Sequence, residues 1–135
     1  MCAVINKWEK PFHIERGDVY MANISDSNLE QGIQSGYRPL AVTQSNWQNE
    51  KSTSIIVVPG TSELKKTNMR THVVLPMIKG LPKQTMFCAE QRFTINSDQL
   101  DRFCCKLPDN IMKQITRACR YAERGEIIRC RKKRR

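Results

Sequence analysis

Long apolar runs are missing from this 135-residue chain. The longest strongly apolar run, Ile55-Ile56-Val57-Val58, suits a buried strand and is far too short to span a bilayer. Met1 to Phe12 carries Lys7, Glu9 and Lys10 among its apolar residues, so no signal-peptide core is expected there. The reading is a cytoplasmic protein with no membrane partner. Histidine is scarce, with only His13 and His72. The six cysteines, at 2, 88, 104, 105, 119 and 130, include no C-x-x-C pair. Adjacent Cys104 and Cys105 suit neither a tetrahedral metal site nor ordinary disulfide geometry. By spacing, no metal and no cofactor is expected, and the thiols read as reduced packing groups. The chain also lacks a Ser/His/Asp spacing, a Walker loop, an H-E-x-x-H run and the carboxylate cluster of a two-metal site. With 6 Gly and 6 Pro it is neither collagen-like nor of low complexity.

What the chain does have is positive charge. Lys and Arg number 23 against 13 for Asp and Glu, a formal net charge of +10. That balance predicts an anionic partner: nucleic acid, an acidic protein or a membrane surface. Much of it sits at the end, in Arg129-Cys130-Arg131-Lys132-Lys133-Arg134-Arg135. A basic run without interleaved aromatics attracts polyanions with little selectivity.

The length fits one domain with a real hydrophobic core. Residues 1–14 read as an N-terminal arm, 15–125 as the folded domain and 126–135 as a basic tail. Strands are expected at Val19 to Ile24, Pro39 to Gln44, Ser54 to Val58, Thr71 to Leu75 and Thr85 to Glu90. Pro59-Gly60 and Pro76 should stop the third and fourth. The polar stretch Ser25 to Tyr37 reads as a loop, long for a compact domain and therefore a functional candidate. Ser45 to Ser52 suggests a loop with a short helical turn. Asn96 and Gln99 resemble a capping box opening a short helix, with Leu100 and Phe103 on one face. After Pro108, Ile111, Met112, Ile115, Ala118, Cys119 and Ala122 recur at helical spacing, with Gly125 as C-cap. The fold class is α+β, mainly β: a small antiparallel sheet or barrel with short helices and a C-terminal amphipathic helix. Parallel α/β is disfavoured, because no helical crossovers separate the early strands.

Each candidate site residue also has an ordinary role. Arg38, ahead of Pro39, is placed to clamp a phosphate or to sit solvated. Thr61, past the third strand, can reach a phosphate or cap a turn. Glu90 and Gln91 can read nucleobase edges or form a strand-end polar pair. His72 invites a general-base reading, but a lone histidine inside a strand is more often structural.

The order of these elements resembles the MazF/PemK family of toxin endoribonucleases. Arg16-Gly17-Asp18-Val19-Tyr20, Gln34-Ser35-Gly36-Tyr37-Arg38-Pro39, Thr61 and Glu90-Gln91-Arg92-Phe93-Thr94 carry the resemblance, which covers about Glu15 to Gly125. It implies a strongly curved, SH3-like sheet of the PemK/CcdB-like toxin fold and a homodimer. It implies cleavage of single-stranded RNA without a metal, and a cognate acidic antitoxin. Arg38 and Thr61 match the family's catalytic arginine and threonine. Gln34, Tyr37, Ser62, Glu90 and Gln91 are the substrate-binding candidates. Two departures stand out: Ile33 replaces the frequent acidic residue before Gln34, and Arg92-Phe93 reverses the commoner apolar-first order. Outside nucleases, the same fold implies a non-catalytic RNA binder or a gyrase poison, which would use the terminal helix instead.

Overall fold

Successive side chains of a strand point to opposite faces, so consecutive apolar residues such as Ile55-Ile56-Val57-Val58 offer an apolar row to each face. In a computed structural model, which describes residues 13–24 and 36–125, both rows contribute buried residues. The arm ahead of His13, residues 25–35 and the tail 126–135 lie outside the described residues, and with them Ile33, Gln34, Cys2 and Cys130.

β1 (Asp18–Ile24) pairs antiparallel with β2 (Gly36–Val42), from Val19↔Ala41 to Ile24↔Gly36. β2 pairs with β3 (Ser54–Thr61), from Leu40↔Pro59 to Val42↔Val57. Between them lies α1 (Asn46–Lys51), whose first turn is capped by the Ser45 hydroxyl accepting from the Gln48 N–H. β4 (His72–Val74) and β5 (Met86–Cys88) form a hairpin that joins the end of β3 through Gly60↔Phe87 and Thr61↔Met86. β6 (Phe93–Asn96) pairs with the start of β3, and β7 (Phe103–Lys106) closes against β1. The strand order is β4-β5-β3-β2-β1-β7, with β6 beside β3. β3 thus changes neighbours along its length, which curls the sheet into a half-barrel. α2 (Asp109–Arg124) completes the chain.

Val19, Ala41, Val58, Phe87 and Cys105 pack with Ile111, Met112, Ile115, Ala118 and Cys119 of α2 on one face. Tyr20, Ala22, Leu40, Val42, Ile55, Val57 and Ile95 pack on the other. The helical stripe is as expected except for Ala122, which is exposed. Gly125 caps α2 at φ 71, its N–H bonded to the Tyr121 carbonyl. Among the described residues no helix is long and apolar enough to cross a membrane.

Three local expectations are corrected. β3 runs through Pro59 and Gly60 to Thr61 instead of stopping at Val58. The chain after Cys88 makes a single 3₁₀ turn at Ala89–Gln91, so Glu90 and Gln91 are not strand residues. The capping box of Asn96 and Gln99 is present, but it closes only a 3₁₀ turn at Ser97–Gln99. Beyond it the Asp101 N–H bonds the Met21 carbonyl and the Met21 N–H bonds the Arg102 carbonyl. That ladder to β1 satisfies the backbone and leaves nothing for a longer helix to gain. Leu100 is buried as expected, while Phe103 lies in β7, 52% exposed.

Burial pushes the Cys105 thiol up to about 11, aided by Cys104 and Asp18, and raises Cys119 as well. Burial and the hydrogen bond to Asp18 also raise the Tyr20 phenol. Groups that keep their protons longer when folded stabilise the fold below their unfolded pKa, and this is lost as pH rises. The urea midpoint under reducing conditions is therefore expected to fall between pH 8 and pH 11. Cys105 alone accounts for about 2–3 kcal/mol at the alkaline end. A midpoint that stays level would contradict the burial of these groups.

Candidate active site

Arg38 and Thr61 lie at neighbouring ends of one ladder. The β2–β3 pairing ends at Leu40↔Pro59, so Arg38 and Thr61 both stand two residues beyond it, where the strands part. Their spacing is thus set by backbone pairing and does not depend on a loop. The Arg38 Nη1 donates toward the Thr61 Oγ1 at 3.5 Å, the outer limit of a hydrogen bond. The same Oγ1 accepts the Glu63 N–H at 3.0 Å. Thr61 is therefore a turn-capping hydroxyl as well as a candidate site residue, since the accepted N–H orients its oxygen while leaving its own proton to donate.

A hollow of about 140 Å³ opens beside the pair. Tyr37, Arg38, Thr61 and Ser62, four of the candidates named from the sequence, line it together. Lys83 and Thr85, from the turn ahead of β5, and Met21 from β1 line it too and were not predicted. Lys83 carried only one signal, its place in the Gly80-Leu81-Pro82-Lys83-Gln84 turn, and a single lysine in a turn is indistinguishable from a solvated one. The Tyr37 hydroxyl donates to Asp101 Oδ2 at 2.9 Å, which raises the phenol pKa and leaves a half-exposed ring. Among the described lining residues the site thus offers two cations, hydroxyls and an aromatic face, with no carboxylate or imidazole.

Glu90 and Gln91 do not line this hollow. The Glu90 carboxylate meets the His72 Nε2 at 2.9 Å. Burial raises the Glu90 pKa, but the His72 hydrogen bond and other contacts outweigh it and hold the carboxyl below its usual range. The Cys88 thiol is pushed up to about 11, by burial first and the Glu90 charge second, against the opposing pull of Arg38. Arg92, whose place in the pattern departs from the family, forms an ion pair with Glu123 of α2. Two larger hollows, about 440 and 370 Å³, contain neither Arg38 nor Thr61.

Known proteins resemble this chain in sequence and in fold. The curated endoribonuclease MazF of Staphylococcus saprophyticus is 31% identical over 106 residues, covering 78% of this chain and 87% of that relative. The crystal structure of MazF from Deinococcus radiodurans superposes with a TM-score of 0.70 at 17% identity, covering 85% of this chain and 99% of that one. A mycobacterial endoribonuclease solved in complex with its cognate antitoxin gives 0.65 at 20% identity, covering 82% and 94%. The profile described as PemK-like, MazF-like toxin of type II toxin–antitoxin system matches residues 15–122. The chain therefore belongs to the family of PemK-like, MazF-like toxins of type II toxin–antitoxin systems.

Proposed function

We propose that this protein is the toxin of a type II toxin–antitoxin system and an endoribonuclease that cuts single-stranded RNA in the cytoplasm without a metal. The observation that carries this reading is the Arg38–Thr61 pair, aligned by the β2–β3 ladder beside a cationic hollow. In this reading the substrate's 2′-oxygen forms a bond to the adjacent phosphorus and the bond to the 5′-oxygen breaks. The 2′-hydroxyl gives up a proton and the leaving 5′-oxygen gains one. A 2′,3′-cyclic phosphate (or, after hydrolysis, a 3′-phosphate) and a 5′-hydroxyl end result.

Arg38 holds the non-bridging oxygens as charge grows on them, and Thr61 donates its free hydroxyl proton to the same phosphate. Lys83 adds a second cation at the rim. Arginine, always protonated in practice, acts here by electrostatics and not as a base. Tyr37 stacks a base, with Ser62 and Gln34 completing substrate contact, and Glu90 and Gln91 act on flanking nucleotides. The protein works as a homodimer, and an acidic antitoxin segment neutralises it by covering the same cations.

The test is incubation of the purified protein with a long RNA in excess EDTA, followed by mapping of the ends. Discrete cuts bearing 5′-hydroxyl ends are expected, and a single 2′-deoxy sugar at the cut site should abolish cleavage there. Intact bound RNA, cleavage that EDTA abolishes, or an equal rate on the 2′-deoxy substrate would each overturn the reading.

A further inference from the structure

His72, Cys88 and Glu90 lie outside the Arg38–Thr61 hollow, and the cleavage reading gives His72 and Cys88 no role. The β4–β5 register sets His72 directly opposite Cys88, and Glu90 follows two residues later on the 3₁₀ turn. Cross-strand partners sit close enough for their side chains to meet. An imidazole nitrogen, a thiol sulfur and a carboxylate oxygen consequently converge, all within 4.8 Å of one another. The other ring nitrogen is already committed. His72 Nδ1 lies 3.0 Å from the Lys66 carbonyl oxygen, and because a carbonyl only accepts, Nδ1 carries a proton. Nε2 is thereby the nitrogen turned toward Glu90, at 2.9 Å. Metal-bound histidines are characteristically held this way, with the far N–H on a carbonyl fixing ring orientation. Cys88 is 2% exposed and the His72 side chain 8%, while that of Glu90 is 36% exposed. Protein thus walls the sulfur side, and the carboxylate side is open to an entering ion.

We propose that His72, Cys88 and Glu90 bind one borderline-soft divalent transition-metal ion of the zinc class, with water in the fourth position. Thiolate with imidazole selects such ions over magnesium and calcium, and three protein ligands plus water is an open tetrahedral set. Bonds of about 2.0–2.3 Å place tetrahedral ligand atoms roughly 3.3–3.8 Å apart. The His72–Glu90 pair opens by a few tenths of an ångström to fit, and the widest separation closes by about 1 Å through side-chain rotation. Binding displaces two protons to solvent, that of the thiol and that held in the His72 Nε2–Glu90 hydrogen bond, as the sulfur–metal and nitrogen–metal bonds form, so uptake strengthens as pH rises. The site sits on the β4–β5 hairpin, whose β5 pairs with the end of β3, yet the cleavage reading needs no ion in it.

The test is anaerobic titration of the reduced full chain with Co²⁺, in the absence of RNA. One ion per chain is expected, giving thiolate-to-cobalt absorption in the near ultraviolet and intense tetrahedral bands in the visible. Zn²⁺ should displace it one for one. Cys88→Ser should lose the thiolate absorption, whereas Cys2→Ser, Cys130→Ser and Cys104→Ser should keep it. Cys88 is buried, so Glu90→Gln carries the same test at a solvent-reached ligand. Its Co²⁺ affinity should fall at least tenfold. No tetrahedral spectrum at millimolar Co²⁺, thiolate absorption that survives Cys88→Ser, or an unchanged affinity in Glu90→Gln would each overturn the proposal. None of these readouts involves RNA, so failure here and failure of the cleavage reading are distinguishable.

Discussion

Arg38→Ala is expected to lower RNA cleavage by about 10²–10³ while leaving the fold intact. One preorganised donor aimed at developing charge contributes about 3–4 kcal/mol to the transition state, which sets this range. Arg38 meets the structural condition for such a role. β2 fixes its backbone, Pro39 restricts that backbone to an extended form, and its side chain belongs to neither apolar cluster. Truncation therefore removes charge and hydrogen bonds without opening a core cavity. Arg38→Lys should recover only part of the rate, since an ammonium keeps the charge but not the planar fork. The measurement is kcat/KM on an oligonucleotide with one cut site, beside circular dichroism and a melting curve. A folded Arg38→Ala protein that cuts at the normal rate would remove Arg38 from the chemistry.

Gly80→Ala is expected to have the largest effect on stability of any alanine substitution at a described glycine. Gly80 has φ +103, a conformation L side chains rarely adopt. A Cβ there would stand 2.1 Å from the Cys104 carbonyl oxygen and 3.0 Å from its carbon. Those are backbone atoms of β7, which the ladder to β1 holds in place. Neither turn nor strand can yield cheaply, so a loss of about 3–5 kcal/mol is expected, a large share of a typical total of about 5–15 kcal/mol. Gly36→Ala is the control. Gly36 has a similar φ of +105, but none of the described residues lies within 4 Å of its added Cβ. It should cost only about 1 kcal/mol of backbone strain. Urea midpoints of the two variants separate the clash from the strain, and equal losses would contradict the packing of Gly80 on β7.

Residues that report a regular pattern were legible in the sequence, and residues paired across long distances were not. The runs at Val19 to Ile24 and Ile55 to Val58 mark β1 and β3, and the Ile111–Cys119 stripe marks α2. Phe93–Asn96 and Phe103–Lys106 give only four residues each, too few for alternation to emerge, and only their partners on β3 and β1 make them strands. Pro59 read as a stop because it lacks an N–H, yet it still faces Leu40 in the ladder. In the candidate site, Arg38 and Thr61 were singled out through the order of motifs. Lys83 was not, because a lone turn lysine follows no pattern. His72, Cys88 and Glu90 escaped because ligand-spacing rules track neighbours along the chain, whereas β4–β5 pairing brings residue 72 to residue 88.

The pairing of β1 with β7 has a consequence for the order of synthesis. β1 is made early, but Lys106, which ion-pairs Glu15 from 91 positions away, ends the strand that covers its edge. Until β7 exists, the sheet has an open edge at β1 and α2 has not been made. Closure over that separation is a slow, non-local step in folding. The sheet therefore cannot close along β1 until residue 106 has been made. A chain that stops before β7 leaves the β1 edge unpaired and lacks the α2 side of the core, so both closures wait on the last fifth of residues 15–125.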